Sequence, residues 1–405
     1  MTSKTPRSAI ASLSLTMLLA SLGTSIANVG LPEMAITFDA TFSSVQWVVL
    51  AYLLAITAVI VSVGRLGDRI GHRRLLLAGL LLFVIACILC GAASSLAQLI
   101  AARAVQGLGA AMMMTMAMAL IGQSVSKERT GRVMGLLGTM SAVGTAAGPA
   151  AGGVLIAGYG WRAVFLSLVP LGLVALALAY RALSHDKHPA PSRQTALDLR
   201  AILRNPTLKA ALIMSTLVMA VMMATLVAGP FYLSHGVGLG PAWMGLAMAV
   251  GPVIAALAGM PAGRLTERFG CRAMTLAGLL AMLAGCLALA LLPQQAGAAG
   301  YIGALAILTL GYAQFQTANN TLVMSDLAPD RRGVIAGLLN LSRNLGLIVG
   351  AWALGAVFAW ETGDINRAPP EALSNGLHIT FGLSLGLVLM AMGCQRKTAL
   401  SPSAP

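Results

Sequence analysis

The charged residues of this chain fall in clusters, and between the clusters run apolar stretches of about 20 residues, each long enough to cross a ~30 Å hydrocarbon core as a helix. That spacing constrains the fold more than any other feature, because it demands a polytopic, all-α membrane protein. Only 9% of the 405 residues are charged and 58% are hydrophobic, with a mean hydropathy of +0.85. Soluble domains carry roughly a quarter charged residues, so a soluble globular protein is excluded. The net charge of +14 would suggest a nucleic-acid partner in a soluble chain. Here the Lys and Arg lie in the loops between apolar spans, where they set orientation instead.

Twelve spans are expected, at approximately 9–34, 46–63, 75–93, 97–121, 132–157, 162–182, 208–234, 241–262, 273–292, 300–323, 333–359 and 375–393. Lys4 and Arg7 precede an apolar run from Ala9 to Leu31 that exceeds the roughly 7 to 15 residues of a signal-peptide core, so it reads as the first span. Residues 183–207 form one long polar linker containing Pro189, Pro191 and Pro206, which divides residues 1–182 from 208–405. Of 26 Lys and Arg, 22 fall on the side shared by both termini and the linker, Arg162 and Arg367 fall opposite, and Arg103 and Arg343 lie inside spans. Both termini are therefore expected in the cytoplasm of a bacterial inner membrane.

The halves repeat. GRLGDRIGHR (Gly64 to Arg73) follows the second span and GRLTERFGCR (Gly263 to Arg272) the eighth, 199 residues apart and identical at six of ten positions, with Asp68 matched by Glu267. Parallel repeats of this kind point to two pseudo-symmetric six-helix bundles about a central solute site. The loop has its own physical logic. Gly64 and Gly71 are expected to permit a tight reversal, while Asp68 among Arg65, Arg69, Arg73 and Arg74 can make charge-assisted bonds and accept a helix N-terminus. In the fifth span Gly144, Gly148 and Gly152 recur at four-residue steps on one helix face, permitting close helix contact, with Pro149 as a kink.

The GRLGDRIGHRR segment resembles the signature loop between the second and third helices of the major facilitator superfamily. Gly144 to Gly153 is similar to the exporter motif of that superfamily's drug:proton antiporter branch, and Arg103-Ala-Val-Gln106-Gly107-Leu-Gly109 to another motif of the same branch. The resemblance implies the major facilitator fold, multidrug-type efflux by alternating access, protons as coupling ion, and a gating role for Gly64, Asp68, Arg69, Gly71, Arg73, Glu267, Gly144, Gly148 and Pro149. It also implies a proton-coupling role for Arg103, which lies near enough to the outer surface to snorkel as an alternative.

One element departs from that pattern. The run Leu22 to Pro32 resembles the first-helix motif of these antiporters, yet Gly23 stands where many members carry an aspartate, and all twelve Asp and Glu fall in loops or at helix ends. Glu33 is then the nearest acid expected to pair with Arg103, with Asp326 and His378 as weaker titratable candidates. Arg343 falls ten residues after Gly333, about 15 Å into the eleventh span, too deep to snorkel. Rows of polar residues at helical spacing are candidate solute contacts: Ser21, Ser25 and Asn28 in the first span, Tyr52 in the second, and Tyr312, Gln316, Asn319 and Asn320 in the tenth. With two intramembrane arginines and no carboxylate, an anionic or zwitterionic solute is favoured over a lipophilic cation.

Cys87 and Cys90 form a CxxC without a second pair or a nearby His, so they read as packing residues, and no cofactor, metal or disulfide is expected. The methionine run at 112, 113, 114, 116 and 118 is expected to pack, with an adaptable apolar wall for varied solutes as the alternative. No HExxH, GxSxG or acid-pair constellation supports an enzyme. The partners expected are a small-molecule substrate, protons and the lipid bilayer, with no nucleic acid, and the chain is expected to act as a monomer. An uncoupled facilitator or importer is the second reading, and a non-transporting membrane sensor the remote one.

Overall fold

A computed structural model describes residues 7–124, 127–183, 205–324, 332–365 and 367–399, and every regular element among them is helical. The linker expected at 183–207 and the candidate Asp326 lie almost wholly and wholly, respectively, outside the described residues. Twelve described segments are long and apolar enough to cross a membrane, from Ser8–Thr37 to Pro370–Arg396. Large apolar side chains such as Leu257, Met260 and Trp360 stay exposed, as expected where lipid is the solvent.

The first span is broken. Helix α1 (Arg7–Ser25) gives way to a 3-10 turn (Asn28–Gly30) before α2 (Leu31–Thr37) resumes with Pro32 in its first turn. A short α3 (Phe42–Val45) leads into α4 (Trp47–Ile70), which runs past the expected end of the second span because Gly64 stays helical. The reversal is made by Gly71 alone, whose φ of 106° suits a residue without a β-carbon, and α5 (His72–Ala92) follows at once. The remaining helices of this half are α6 (Leu96–Ser124), α7 (Lys127–Tyr159), α8 (Trp161–Leu166) and α9 (Leu168–Ala182).

After the linker come α10 (Pro206–Phe231), closed by a π-turn (Tyr232–Gly236), then α11 (Pro241–Phe269), α12 (Cys271–Ala290) and α13 (Gly297–Met324). Helix α14 (Arg332–Val349) passes through a second π-turn (Gly350–Leu354) into α15 (Gly355–Thr362), and α16 (Pro370–Ala399) completes the described chain. Gly270, the repeat partner of Gly71, turns the chain between α11 and α12 with φ of 86°. The repeat seen in the sequence is therefore a repeat of backbone geometry.

The chain divides into two compact units. One comprises residues 1–193 with 240–249, and the other 194–239 with 250–405. Within the first, α1 lies against α7 so closely that a β-carbon on Gly144 would collide with the Leu18 carbonyl and one on Gly148 with Ser25 Oγ. Residues 240–249 join this unit because a β-carbon on Gly245 would meet the Pro149 carbonyl and one on Gly153 the Pro241 carbonyl. Within the second unit α14 approaches α10 in the same manner, with Gly346 facing the Thr216 carbonyl and Gly350 the Ala220 carbonyl. Small residues replace the hydrophobic drive that lipid does not supply, so contact area between helices comes from proximity.

Candidate functional site

Arg103 is the largest fully buried side chain among the described residues. It sits on α6, fully buried, and its guanidinium does not snorkel. Nε donates to the Val48 carbonyl at 2.9 Å and Nη1 to the Gly23 carbonyl at 3.1 Å, with Gln106 Oε1 as a further acceptor. The Tyr52 ring lies 4.2 Å beneath it and the Phe165 ring 5.7 Å away. Gln106 in turn donates to Cys87 Sγ at 3.0 Å, and Tyr52 Oη to the Ala20 carbonyl at 2.9 Å. One arginine thus joins α1, α4 and α6, with carbonyl oxygens and aromatic faces in place of a carboxylate. Nη2 has no partner among the described residues.

The expected pairing of Glu33 with Arg103 is not formed. Glu33 lies in the first turn of α2, where its Oε1 accepts the Trp161 backbone N–H at 3.2 Å and so ties α2 to the start of α8. Tyr52, expected to contact solute, is fully buried beneath the arginine, and its hydroxyl is already donated. Ser25 and Asn28 are buried as well. Ser21 Oγ meets Ser141 Oγ at 2.5 Å and Ser25 Oγ reaches the Gly144 carbonyl at 3.5 Å, while Asn28 Nδ2 bonds the Ser25 carbonyl at 3.2 Å. The polar row of the first span faces the α1–α7 seam and the helix break, because a hydroxyl in lipid finds its partner on the adjacent helix.

The polar row of the second unit is different. On α13, Tyr312, Gln316 and Asn320 are half-buried, and Asn319 is fully buried. Arg343 of α14 is half-buried and directs Nη2 to Tyr312 Oη at 3.5 Å, while Asn319 Nδ2 donates to the Ala211 carbonyl of α10 at 3.3 Å. Three buried atoms of this group have no partner among the described residues: Arg343 Nε, Gln316 Oε1 and Asn319 Oδ1. Buried polar atoms are rarely left so.

At the signature loop, Asp68 Oδ1 meets His72 Nε2 at 3.3 Å, one turn away across Gly71. Arg73 of the same segment donates to the Tyr180 carbonyl at 2.8 Å and stacks over that ring. Gly64, expected in the turn, lies inside α4, where a β-carbon would meet nothing within 4 Å. Arg69 sits in the last turn of α4 and is exposed. In the repeat, Glu267 is exposed and Cys271 stands where His72 does, so the same ion pair cannot form. Cys87, Cys90, Met113 and Met116 are fully buried packing residues. No cluster of metal-ligating side chains occurs among the described residues.

A family model described as the Major Facilitator Superfamily matches residues 13–351. The chain belongs to the Major Facilitator Superfamily. Among relatives within it, a riboflavin transporter of Clostridioides difficile, RibZ, is 25% identical, with 84% of this chain and 86% of that protein covered. The drug efflux pump JefA of Mycobacterium tuberculosis is 29% identical over 82% of this chain and 77% of its own length. A bacterial homolog of the human lysosomal transporter Spinster shares the fold, with a TM-score of 0.80 at 16% identity and 98% coverage of both chains. This superfamily member is therefore a multi-pass membrane transporter. Sequence reasoning found its arginines and missed their acceptors, since a backbone carbonyl such as Gly23 O carries no sequence signal. It also passed over His235, a histidine at the end of an apolar span.

Proposed function

We propose that this chain is a secondary active exporter of a small organic solute, working by alternating access and coupled to protons, in the bacterial cytoplasmic membrane with both termini inside. The observation that carries the solute site is the group on α13 and α14, where Arg343 Nε, Gln316 Oε1 and Asn319 Oδ1 are buried and have no partner, and Arg343 no ion pair, among the described residues. A guanidinium lacking a carboxylate suits an acceptor oxygen on the solute, and the two amide oxygens suit N–H or O–H donors. An anionic or zwitterionic solute satisfies both, and a flavin, suggested by the riboflavin-transporting relative, presents acceptor and donor along one ring edge. Outward direction is supported by the efflux-pump relatives and by the Gly144 and Gly148 seam.

The test is transport by the purified chain in proteoliposomes. A pH gradient, acid outside, should drive riboflavin or a carboxylate-bearing solute against its own gradient. A second reading, an uncoupled facilitator, is favoured by Gly23 in the usual acid position and by the engagement of Glu33 with Trp161. It predicts solute movement that only ever runs downhill.

A further inference from the structure

Glu33 is half-buried with Oε1 held by the Trp161 N–H, and Arg103 is fully enclosed. A second candidate entry point for protons lies in the second unit. The seventh span ends in the π-turn Tyr232–Gly236, where Val237 N bonds Tyr232 O at 2.9 Å across five residues. Such turns re-aim side chains and recur at functional sites. Here the turn carries His235, a half-buried imidazole stacked on Phe231 at 6.3 Å, whose Nδ1 is buried and unpartnered. By the charge pattern this is the outer end of the span.

Inward from it the hydrogen-bonding groups continue. Tyr232 Oη is buried and unpartnered, and its ring lies 5.8 Å from that of Tyr301. Tyr301 Oη reaches the Thr225 carbonyl at 3.3 Å, and Gly229 leaves the room it needs, since a β-carbon there would collide with that hydroxyl. Thr225 Oγ1 donates onward to the Met222 carbonyl at 2.7 Å. From 235 through 232 to 225 this is about three helical turns of polar groups in an otherwise apolar helix.

We propose that His235 is the outside proton-uptake residue of this transporter, with the Tyr232 and Tyr301 hydroxyls as the polar groups next inward from it. The assignment rests on the proton-coupled reading. A proton from outside water adds to a ring nitrogen of His235, giving an imidazolium. Other titratable groups on the turn and the elements packed against it are Tyr232 itself, Tyr301 of α13, and Glu371 and His378 of α16. His378 Nε2 is already bonded to the Leu292 carbonyl at 2.7 Å, and Glu371 lines an open pocket of about 540 Å³ with Ser374 and Asn375.

The experiment has two arms on the full chain. In proteoliposomes, movement of ethidium and of riboflavin is followed while outer pH varies from about 5.5 to 8 at fixed inner pH. The gradient-driven rate should show a single inflection within the outer-pH range scanned. His235→Gln should abolish the inflection, His235→Glu should restore it at lower pH, and Tyr232→Phe should slow the driven rate about tenfold or more. Gradient-driven movement unchanged in His235→Gln, or an inflection lost only in Glu371→Gln or His378→Gln, overturns the proposal and leaves proton coupling standing. A native rate indifferent to the gradient overturns proton coupling itself. The second arm needs no solute: exchange of the His235 ring C2 proton is followed by mass spectrometry in nanodiscs. No inflection between about pH 5 and 8 overturns the proposal whatever the probes do.

Discussion

Arg103 Nη1 donates to the Gly23 carbonyl oxygen at 3.1 Å, in the turn where a resembling antiporter carries an aspartate. The backbone thus supplies the acceptor that the side chain has lost, and α1 ends two residues later at Ser25. A β-carbon added at Gly23 would lie 3.1 Å from the Phe83 ring and 3.3 Å from Tyr52 Oη, so an aspartate fits once the ring gives by a few tenths of an ångström. Gly23→Asp should therefore be tolerated, pair with Arg103 and change the pH dependence of transport. Glu33→Gln should leave that dependence unaltered and lower thermal stability through its weakened bond to Trp161 N. Transport against outer pH for both variants, beside their melting temperatures, checks this.

Arg103→Lys keeps the charge and loses the fork. A single ammonium cannot reach the Val48 and Gly23 carbonyls in the present geometry and also lie flat on the Tyr52 ring. Each hydrogen bond from a charged donor is worth about 1.5–3 kcal/mol, so losing one should lower stability by that order and reduce turnover at least tenfold. Thermal unfolding and initial rates of the purified variant measure the two effects separately.

How much of this was open to a reader of the sequence depends on whether side chains or backbone carry the feature. The twelve spans were legible because apolar length against a fixed bilayer thickness leaves little freedom, and Gly71 was legible as a turn because a glycine there can reverse the chain. Gly64 misled, since a glycine signals freedom that a helix with tertiary support need not use. Ser25 and Tyr52 misled for another reason. Helical spacing says that polar residues share a face, and only packing says whether that face meets solute, a neighbouring helix or a buried arginine.

Asp68 and His72 supply the third prediction. If their contact latches the turn between α4 and α5, Asp68→Asn should depress turnover severalfold while expression and solute affinity hold, and His72→Ala should do the same. Glu267→Gln should be milder, because Cys271 offers no imidazole to its carboxylate. Rates and binding affinities measured on the same reconstituted samples separate a gating defect from a binding defect.

The α1–α7 seam gives a prediction with an internal control. A methyl group at Gly144 or Gly148 collides with Leu18 O or Ser25 Oγ, whereas at Gly138, on the same helix, it meets nothing within 4 Å. Gly144→Ala and Gly148→Ala should each lower stability by about 1–3 kcal/mol, the usual penalty of overpacking, and Gly138→Ala should be neutral. Gly346→Ala on α14 and Gly350→Ala at the start of the π-turn that follows should behave like the first pair, because Thr216 O and Ala220 O stand comparably close. Thermal unfolding of the five variants decides it.

Arg343 tests the charge of the solute. Its Nε is buried without an acceptor and its Nη2 reaches Tyr312 Oη only at the 3.5 Å limit, so no described residue neutralises or saturates it. A solute carboxylate would gain a charge-assisted bond there, while a lipophilic cation would meet repulsion and find no acid to offset it. Arg343→Gln, which shortens the side chain to a single amide NH2 and removes the charge, should weaken carboxylate binding by about 10- to 100-fold, the loss of one charge-assisted bond of about 1.5–3 kcal/mol, and leave ethidium unaffected or better bound. Asn319→Leu should weaken solutes that carry an N–H or O–H donor and spare N-methylated or O-methylated analogues, since Asn319 Oδ1 is the acceptor they would lose. Competition between a carboxylate panel and ethidium in the same proteoliposomes reads both effects. Ethidium moved equally well by native protein and Arg343→Gln, with no carboxylate ever competing, would show that this arginine serves the packing of α13 and α14 and that the solute is recognised elsewhere.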